Sequence, residues 1–496
     1  MEMELERRTV NCLRQRVRQV QNQEQTLELK LPEGYPDIGS VLCAWGQCLL
    51  RSKEWRTEGI GVSGGVMTWV LYLPADGSEP RWVEAWLPVQ MKWEMPQTHR
   101  EGSIRASWHL KGVDARMLSA RKLLVRAGIG VLGEALEPCE AEVYAPMEVP
   151  EGVQLLKRTY PAMVPREAGE KTFLVDEEFP LPEGSTEEIV SCRVTPVLTE
   201  EKVVGGRAVF RGMAQIHLVC RGADGQLHSM DFQPEFSQFS DLDQDYDMDA
   251  DISTVMALSN LEPEVQEGRL RVKCGMVAQY VVRDRVMLEL VEDAYCPNRT
   301  LDTQHKELDI PMVLDSRTQT VTATASITEE PGRVADLSVW LEHPQVRRAG
   351  NLTELEVPGT VQMLSYGPNG ELRASTGRFR GLWEFPAGDT TAVNAAVVSF
   401  DEPTAISTDG QTEAVVEMHM DVTCVGGQGM EMVSALELGE LMPADPGRPS
   451  LILCRPGQRS LWELAKSTGS TVDAIRTANN LTEEPTDDRL LLIPVS

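Results

Sequence analysis

The sequence predicts a mainly β chain: three tandem β-sandwich-like repeats followed by a small βααβ module. Three observations carry this. The first is a recurring hairpin. Val66 to Trp86 reads VMTWVLYLPADGSEPRWVEAW, two runs of β-branched and aromatic residues around Asp76-Gly77. A tight hairpin turn needs positive φ, which glycine supplies without steric cost. Met213 to Met230 repeats the pattern around Asp224-Gly225, and Thr360 to Ala374 around Asn369-Gly370. Gly77 to Gly225 is 148 residues and Gly225 to Gly370 is 145. The second observation is a closing strand in the same register: Leu123, Leu270 and Val416 each open an alternating run, 147 and 146 residues apart. Two landmarks keeping one long period indicate repeated domains. The third is a change of character after residue 450, where helical periodicity appears.

Composition narrows the function. The chain has 496 residues, 42% hydrophobic and 25% charged, as in globular proteins, with a net charge of −29. Such a field disfavours nucleic acid and anionic membranes and suits a basic protein partner. The opening MEMELERRTVNCLRQRVRQV is charged and lacks the apolar core of a secretory signal. No run of about 18 apolar residues suggests a membrane span. Ten cysteines are scattered without a CxxC, and Cys220 and Cys274 fall on apolar-alternating positions, as reduced core thiols would.

In order, residues 1–23 are expected as a polar lead-in or edge strand. Repeat one covers 24–146, opening with TLELKLPEGYPDIGSVLCAWGQ and closing with KLLVRAGIGVLGEALEP. There Leu123, Val125, Ala127, Ile129 and Val131 alternate as a half-buried strand does. Repeat two covers 171–297, and its Leu181 to Gly184 repeats the Leu-Pro-Glu-Gly of Leu31 to Gly34. Repeat three covers 306–438. Thr68, Val70 and Tyr72 correspond to Ile216, Leu218 and Cys220, then to Val361, Met363 and Ser365, read as the inward side of each hairpin.

Residues 439–450, GELMPADPGRPS, read as a linker. In the module that follows, 451–496, Ser460 and Glu463 form a capping box and Gly469 ends the first helix. Ser470 or Thr471 starts the second, with Val472, Ile475 and Ala478 on one face, and strands at Leu451 to Cys454 and Leu490 to Ile493 frame the pair. Trp462 is expected to be partly buried against the second helix.

The tail resembles a LysM domain through Gly457, Ser460-Leu461-Trp462, Ala465, Gly469, Val472, Ile475, Asn479-Asn480-Leu481 and Leu492-Ile493-Pro494. LysM modules bind N-acetylglucosamine polymers through two loops, so the resemblance implies a contact surface at Gly457, Gln458, Arg459, Ser460, Asn480, Leu481 and Thr482. Gln458-Arg459 departs from the Asp that many LysM domains carry, and the common opening aromatic is missing. The upstream repeats resemble SPOCS domains of endospore-forming bacteria through LPEGYPDIG (31–39), AWGQ (44–47) and GGVMTWVLY (64–72). SPOCS repeats ending in one LysM resemble the clostridial spore-coat assembly family, in which the tail is implied to dock onto the coat-basement ATPase. That resemblance places the chain in the mother-cell cytoplasm and on the forespore surface, with other coat proteins as partners.

Against this stands the search for chemistry. None of the seven histidines (His99, His109, His217, His228, His305, His343, His419) sits at a metal-ligand spacing, and no GxSxG or P-loop occurs. His217 and His419 lie on strands and read as structural or exposed. The run DLDQDYDMDAD, Asp241 to Asp251, places Asp at every second position. As calcium ligands Asp243, Asp245 and Asp247 are the sharp reading; a solvated loop or charged edge is the plain one. No catalytic residue and no cofactor is expected. The prediction is a non-enzymatic scaffold, with a peptidoglycan-binding wall or cortex protein and a phage-type structural component as alternatives. A buried cluster of ionisable groups lining a deep cleft would count against it.

Overall fold

A computed structural model shows the chain as mainly β, with twenty-six strands and two short helices among the described residues. It describes the chain apart from residues 1, 98–99, 146–148, 182–184, 309, 311, 328–331, 351, 387–389, 391, 409–410, 427–429, 444–446, 448, 458, 484–488 and 496. No described helix is long and apolar enough to cross a membrane.

The first unit follows β1 (Glu2–Glu4) and holds β2 (Glu6–Lys30), β3 (Ile38–Arg56), β4 (Gly59–Pro74), β5 (Arg81–Glu94), β6 (Ser103–Ser119) and β7 (Lys122–Ala145). Its middle strands form one sheet, β3-β4-β5, and its outer strands another, β2-β7-β6. Of the two readings for residues 1–23, a lead-in or an edge strand, residues 6–23 lie on β2, the edge strand of its sheet, which pairs with β7 from Glu6↔Ala145 to Lys30↔Lys122 and so runs through the expected boundary at residue 23.

The second unit holds β8 (Gln154–Pro180), β9 (Ser185–Val203), β10 (Arg207–Gly222), β11 (Leu227–Phe232), β12 (Glu235–Asp241), β13 (Asp251–Gln266) and β14 (Arg269–Tyr295). The pairing pattern returns: β9, β11 and β12 pair with β10, and β8 and β13 pair with β14. β8 begins well before Lys171, because Pro161 and Pro165 sit within the strand, opposite Met287 and Arg283, rather than breaking it.

After β15 (Arg299–Glu307) the third unit holds β16 (Met312–Ile327), β17 (Arg333–Leu341), β18 (Gln345–Ala349), β19 (Leu352–Tyr366), β20 (Leu372–Pro386), β21 (Ala392–Phe400), β22 (Thr404–Thr408) and β23 (Gln411–Gly426). Here β17, β18 and β20 pair with β19, while β16, β21 and β22 pair with β23. The next strand, β24 (Glu431–Leu441), runs three residues into the expected linker and pairs with both β15 and β1. The chain's first residues therefore lie on a strand that follows the third unit.

The three hairpins close on Gly77, Gly225 and Gly370, with φ of +75°, +76° and +81°. The positions expected to face inward on them are buried: Thr68, Val70, Tyr72, Ile216, Leu218, Cys220, Val361, Met363 and Ser365 are each at most 2% exposed. The opposite face is buried too. Trp45, Leu49, Trp69 and Leu71 leave the first unit's own core and pack with Val190, Leu218, Leu270, Ala335 and Leu364 of the other two units. Burying both faces of a sheet demands a neighbour on each side, and the neighbouring units supply it.

The tail holds β25 (Leu451–Cys454), α1 (Leu461–Thr468), α2 (Val472–Asn479) and β26 (Leu491–Pro494). Ser460 caps α1 in a complete capping box, and Gly469 ends it at φ +66°. Thr471, not Ser470, caps α2, accepting from the Ala474 N–H. β25 and β26 pair antiparallel, Cys454 opposite Leu491. Leu461, Leu464, Ala465, Ile475, Leu491 and Ile493 form the tail's core, and Tyr295 from β14 belongs to it.

Candidate functional site

The three middle sheets meet at one rung. Trp45 pairs with Trp69 in the first unit, Arg193 with His217 in the second and Ser338 with Gln362 in the third. These are corresponding positions, each one residue beyond Thr68, Ile216 and Val361 on the central strands. Four of them, Trp45, Arg193, His217 and Ser338, converge on Asp336, whose side chain is fully buried. Trp45 Nε1 donates to Asp336 Oδ2 at 2.7 Å, Ser338 Oγ donates to the same oxygen at 2.8 Å, and Arg193 Nη2 donates to Oδ1 at 2.6 Å. His217 Nε2 lies 2.6 Å from Asp336 Oδ1, and His217 Nδ1 lies 2.6 Å from Asp231 Oδ1. Gln362 Nε2 reaches back to the Ala44 carbonyl at 3.1 Å.

The charges follow from this geometry. Burial alone would raise the Asp336 carboxyl, but Arg193, His217 and Trp45 hold it well below the usual range. Burial and the Arg193 charge oppose protonation of His217, yet Asp231 and Asp336 outweigh them and raise its pKa. The imidazole sits between two carboxylates that favour its protonated form.

Beside this seam opens a cleft of about 900 Å³, lined by all three units. Leu50, Trp108, Leu258, Trp340 and Phe400 supply apolar wall, and Glu201, Asp231, Glu402, His419 and Asp421 supply ionisable groups. Burial pushes the Glu201 carboxyl up to about 7, with Asp421 and Asp251 adding to it. Glu402 is raised by burial and by Asp231 beside it. His109 and His343 stack edge-on at 4.0 Å, and burial drives them down to about 4 and about 2, so both are neutral near pH 7.

Two arrangements here carry chemical potential. His217, Asp231 and Glu402 place one ligand atom each within 4.8 Å, and Asp336 on the far ring nitrogen is the outer carboxylate that a metal-bound histidine commonly has. His419 Nδ1 lies 3.2 Å from Thr320 Oγ1, and its Nε2 lies 3.1 Å from Asp401 Oδ1. That is the connectivity of nucleophile, base and orienting acid, but Thr320 is an exposed cross-strand neighbour of His419 and does not line the cleft.

The sequence did not single out this region. It read His217 and His419 as structural or exposed; both line the cleft, and His217 joins the seam. Asp231, Glu402 and Asp336 carried no local signal. His99 lies outside the described residues.

The expected tail loops are placed differently. Gly457, Arg459, Ser460, Asn480 and Thr482 are exposed, Leu481 is half-buried against the tail core, and Gln458 lies outside the described residues. Asn480 takes the left-handed conformation at the end of α2, φ 51°. Because Cys454 pairs with Leu491, the segments after β25 and before β26 leave the two-stranded sheet at the same end. Trp462 is half-buried, but its partners include the body of the protein: its Nε1 donates to Asp293 Oδ2 at 2.8 Å, and its ring meets Tyr295 edge-on at 4.8 Å. Lys466 Nζ lies 2.7 Å from Asp293 Oδ1, and the Tyr295 hydroxyl donates to the Ser470 carbonyl at 2.9 Å. The tail is seated on the end of β14.

Asp243, Asp245 and Asp247 lie in the connection between β12 and β13, not on a strand, and all three are exposed. They do not come together as a ligand group among the described residues. Repelling carboxylates favour such a solvated loop, pinned where the Asp243 N–H donates to Glu167 Oε1 at 3.0 Å. No protein-family model matches the chain, and no curated protein matches it.

Proposed function

We propose that the chain is a non-enzymatic scaffold for spore-coat assembly, built of three tandem SPOCS-like β-sandwich domains and a LysM tail. The tail docks onto a coat-basement ATPase, and the β body binds other coat proteins in the mother-cell cytoplasm and on the forespore surface. The observation that carries this is the seating of the tail. One face of α1 is spent on Asp293 and Tyr295, while Gly457, Arg459, Asn480 and Thr482 stay exposed. A loop pair held rigidly against a large body suits an adaptor, since little ordering is left to oppose binding. Within the seam, Arg193 and His217 are paired with Asp336 across the second and third units. The ionisable groups that line the cleft, Glu201, Glu402 and Asp421 among them, are the feature set above as counting against this reading.

The alternative reading, a glycan-binding wall or cortex protein, keeps the same loops as its contact surface. One experiment separates the two. The full-length chain is used as bait in lysate of sporulating cells and, separately, with purified peptidoglycan, alongside the Arg459→Glu/Thr482→Arg double variant. Both substituted side chains are exposed, so folding is spared. Scaffold docking predicts recovery of a sporulation ATPase by the parent and about tenfold less by the variant, the effect of losing roughly 1.4 kcal/mol of contact. Recovery of no ATPase, with retention on peptidoglycan, overturns it.

A further inference from the structure

Cys12 and Cys139 stand directly opposite each other in the antiparallel pair of β2 and β7. Their sulfur atoms are 2.8 Å apart, closer than two non-bonded sulfurs rest, so the side chains already point at one another. Facing residues of an antiparallel pair have Cα atoms about 4.5–5.5 Å apart, within the roughly 4.4–6.8 Å that a disulfide spans. Neither is joined in a disulfide in the structure; Cys12 is buried and Cys139 half-buried.

The place matters as much as the geometry. Cys12 packs with Val164 and Leu288 of the second unit and with Met312 and Met432 beyond it. Seven residues earlier, Leu5 is buried beside Val433 and Leu436 of β24, and β1 continues onto that strand. Residues 2–12 therefore form a strap from the first unit to the strand that follows the third.

We propose that Cys12 and Cys139 are a modification site, a dithiol that closes to a cross-strand disulfide and fastens this strap. The oxidant is a low-molecular-weight disulfide of the glutathione class. The Cys139 thiolate attacks it, breaking its S–S bond and releasing one thiol. The Cys12 thiolate then attacks the Cys139 sulfur of the mixed disulfide and releases the second thiol. The two protons lost by the protein thiols end on the two released thiols, and the two electrons from the protein reduce the oxidant.

The test treats the full chain with oxidised glutathione or with a phosphine reductant, then alkylates free thiols, digests without reduction and identifies linked peptides by mass. Hydrogen exchange of residues 2–12 is followed in both states and in the Cys139→Ser variant. The expected result is a Cys12–Cys139 linked peptide in the oxidised sample only, with exchange in residues 2–12 slowed about tenfold, and no slowing in the variant. A glutathione adduct that persists on Cys139, both cysteines remaining alkylatable, or linkage of either to another cysteine overturns the proposal. So does linkage without any slowing of exchange.

Discussion

Glu201 shows how a single side chain reports on the cleft. Burial, with the Asp421 and Asp251 charges, raises its carboxyl to about 7. The unfolded chain releases that proton near 4.3, so the folded state binds more protons between the two values. Stability therefore falls as pH rises through that window and levels off above it. Glu201→Gln removes the titration. Urea unfolding at about pH 5 and about pH 8 should show the parent losing roughly 2–3 kcal/mol more than the variant over that span. Equal losses would mean that Glu201 is solvated. At this scale the sequence was least informative. His217 sits on an alternating strand like any other, and nothing within ten residues of it announces Asp336, which is 119 positions away. Polar residues at one corresponding rung of the second and third copies, Arg193, His217, Ser338 and Gln362, are a trace, and reading them requires knowing that the opposite sheet face is also covered.

Elements were far more legible. The Asp-Gly and Asn-Gly turns, the alternation of the closing strands and the caps of the tail helices are local signals, and each stands in the structure. Gly370 makes the case testable: its φ is +81°, and a Cβ there would meet nothing within 4 Å. Any cost of Gly370→Ala is thus backbone strain alone, about 1 kcal/mol of unfolding free energy in a denaturant titration. No change would mean the turn does not hold that conformation. Elements went astray where local rules were overridden. The strand β8 runs through Pro161 and Pro165, and β2 runs through a stretch whose polarity suggested a lead-in, since one of its faces looks to solvent along much of its length. The alternating acids before Asp251 form the solvated loop that was their plain reading, while Leu242, Tyr246 and Ala250 between them pack against the core beside Phe210 and Tyr280.

The whole molecule is where sequence periodicity and packing part company. A repeat of about 147 residues suggests beads on a string, each with its own core. The structure instead gives the first unit's hairpin two buried faces, joins the second and third units through the Val313–Met163 bridge, and returns the N-terminus to β24. Mutual burial of this kind cannot be read from a period, because it depends on which faces meet. The central claim is that three units share one polar seam centred on Asp336. Removing that carboxylate leaves the Arg193 charge buried without its main partner, a loss of about 3–5 kcal/mol in comparable settings. The most direct test is hydrogen exchange of the Asp336→Ala variant, read peptide by peptide. A shared seam predicts faster exchange around Trp45, Arg193–His217 and Ser338 together; acceleration confined to the third unit would contradict it.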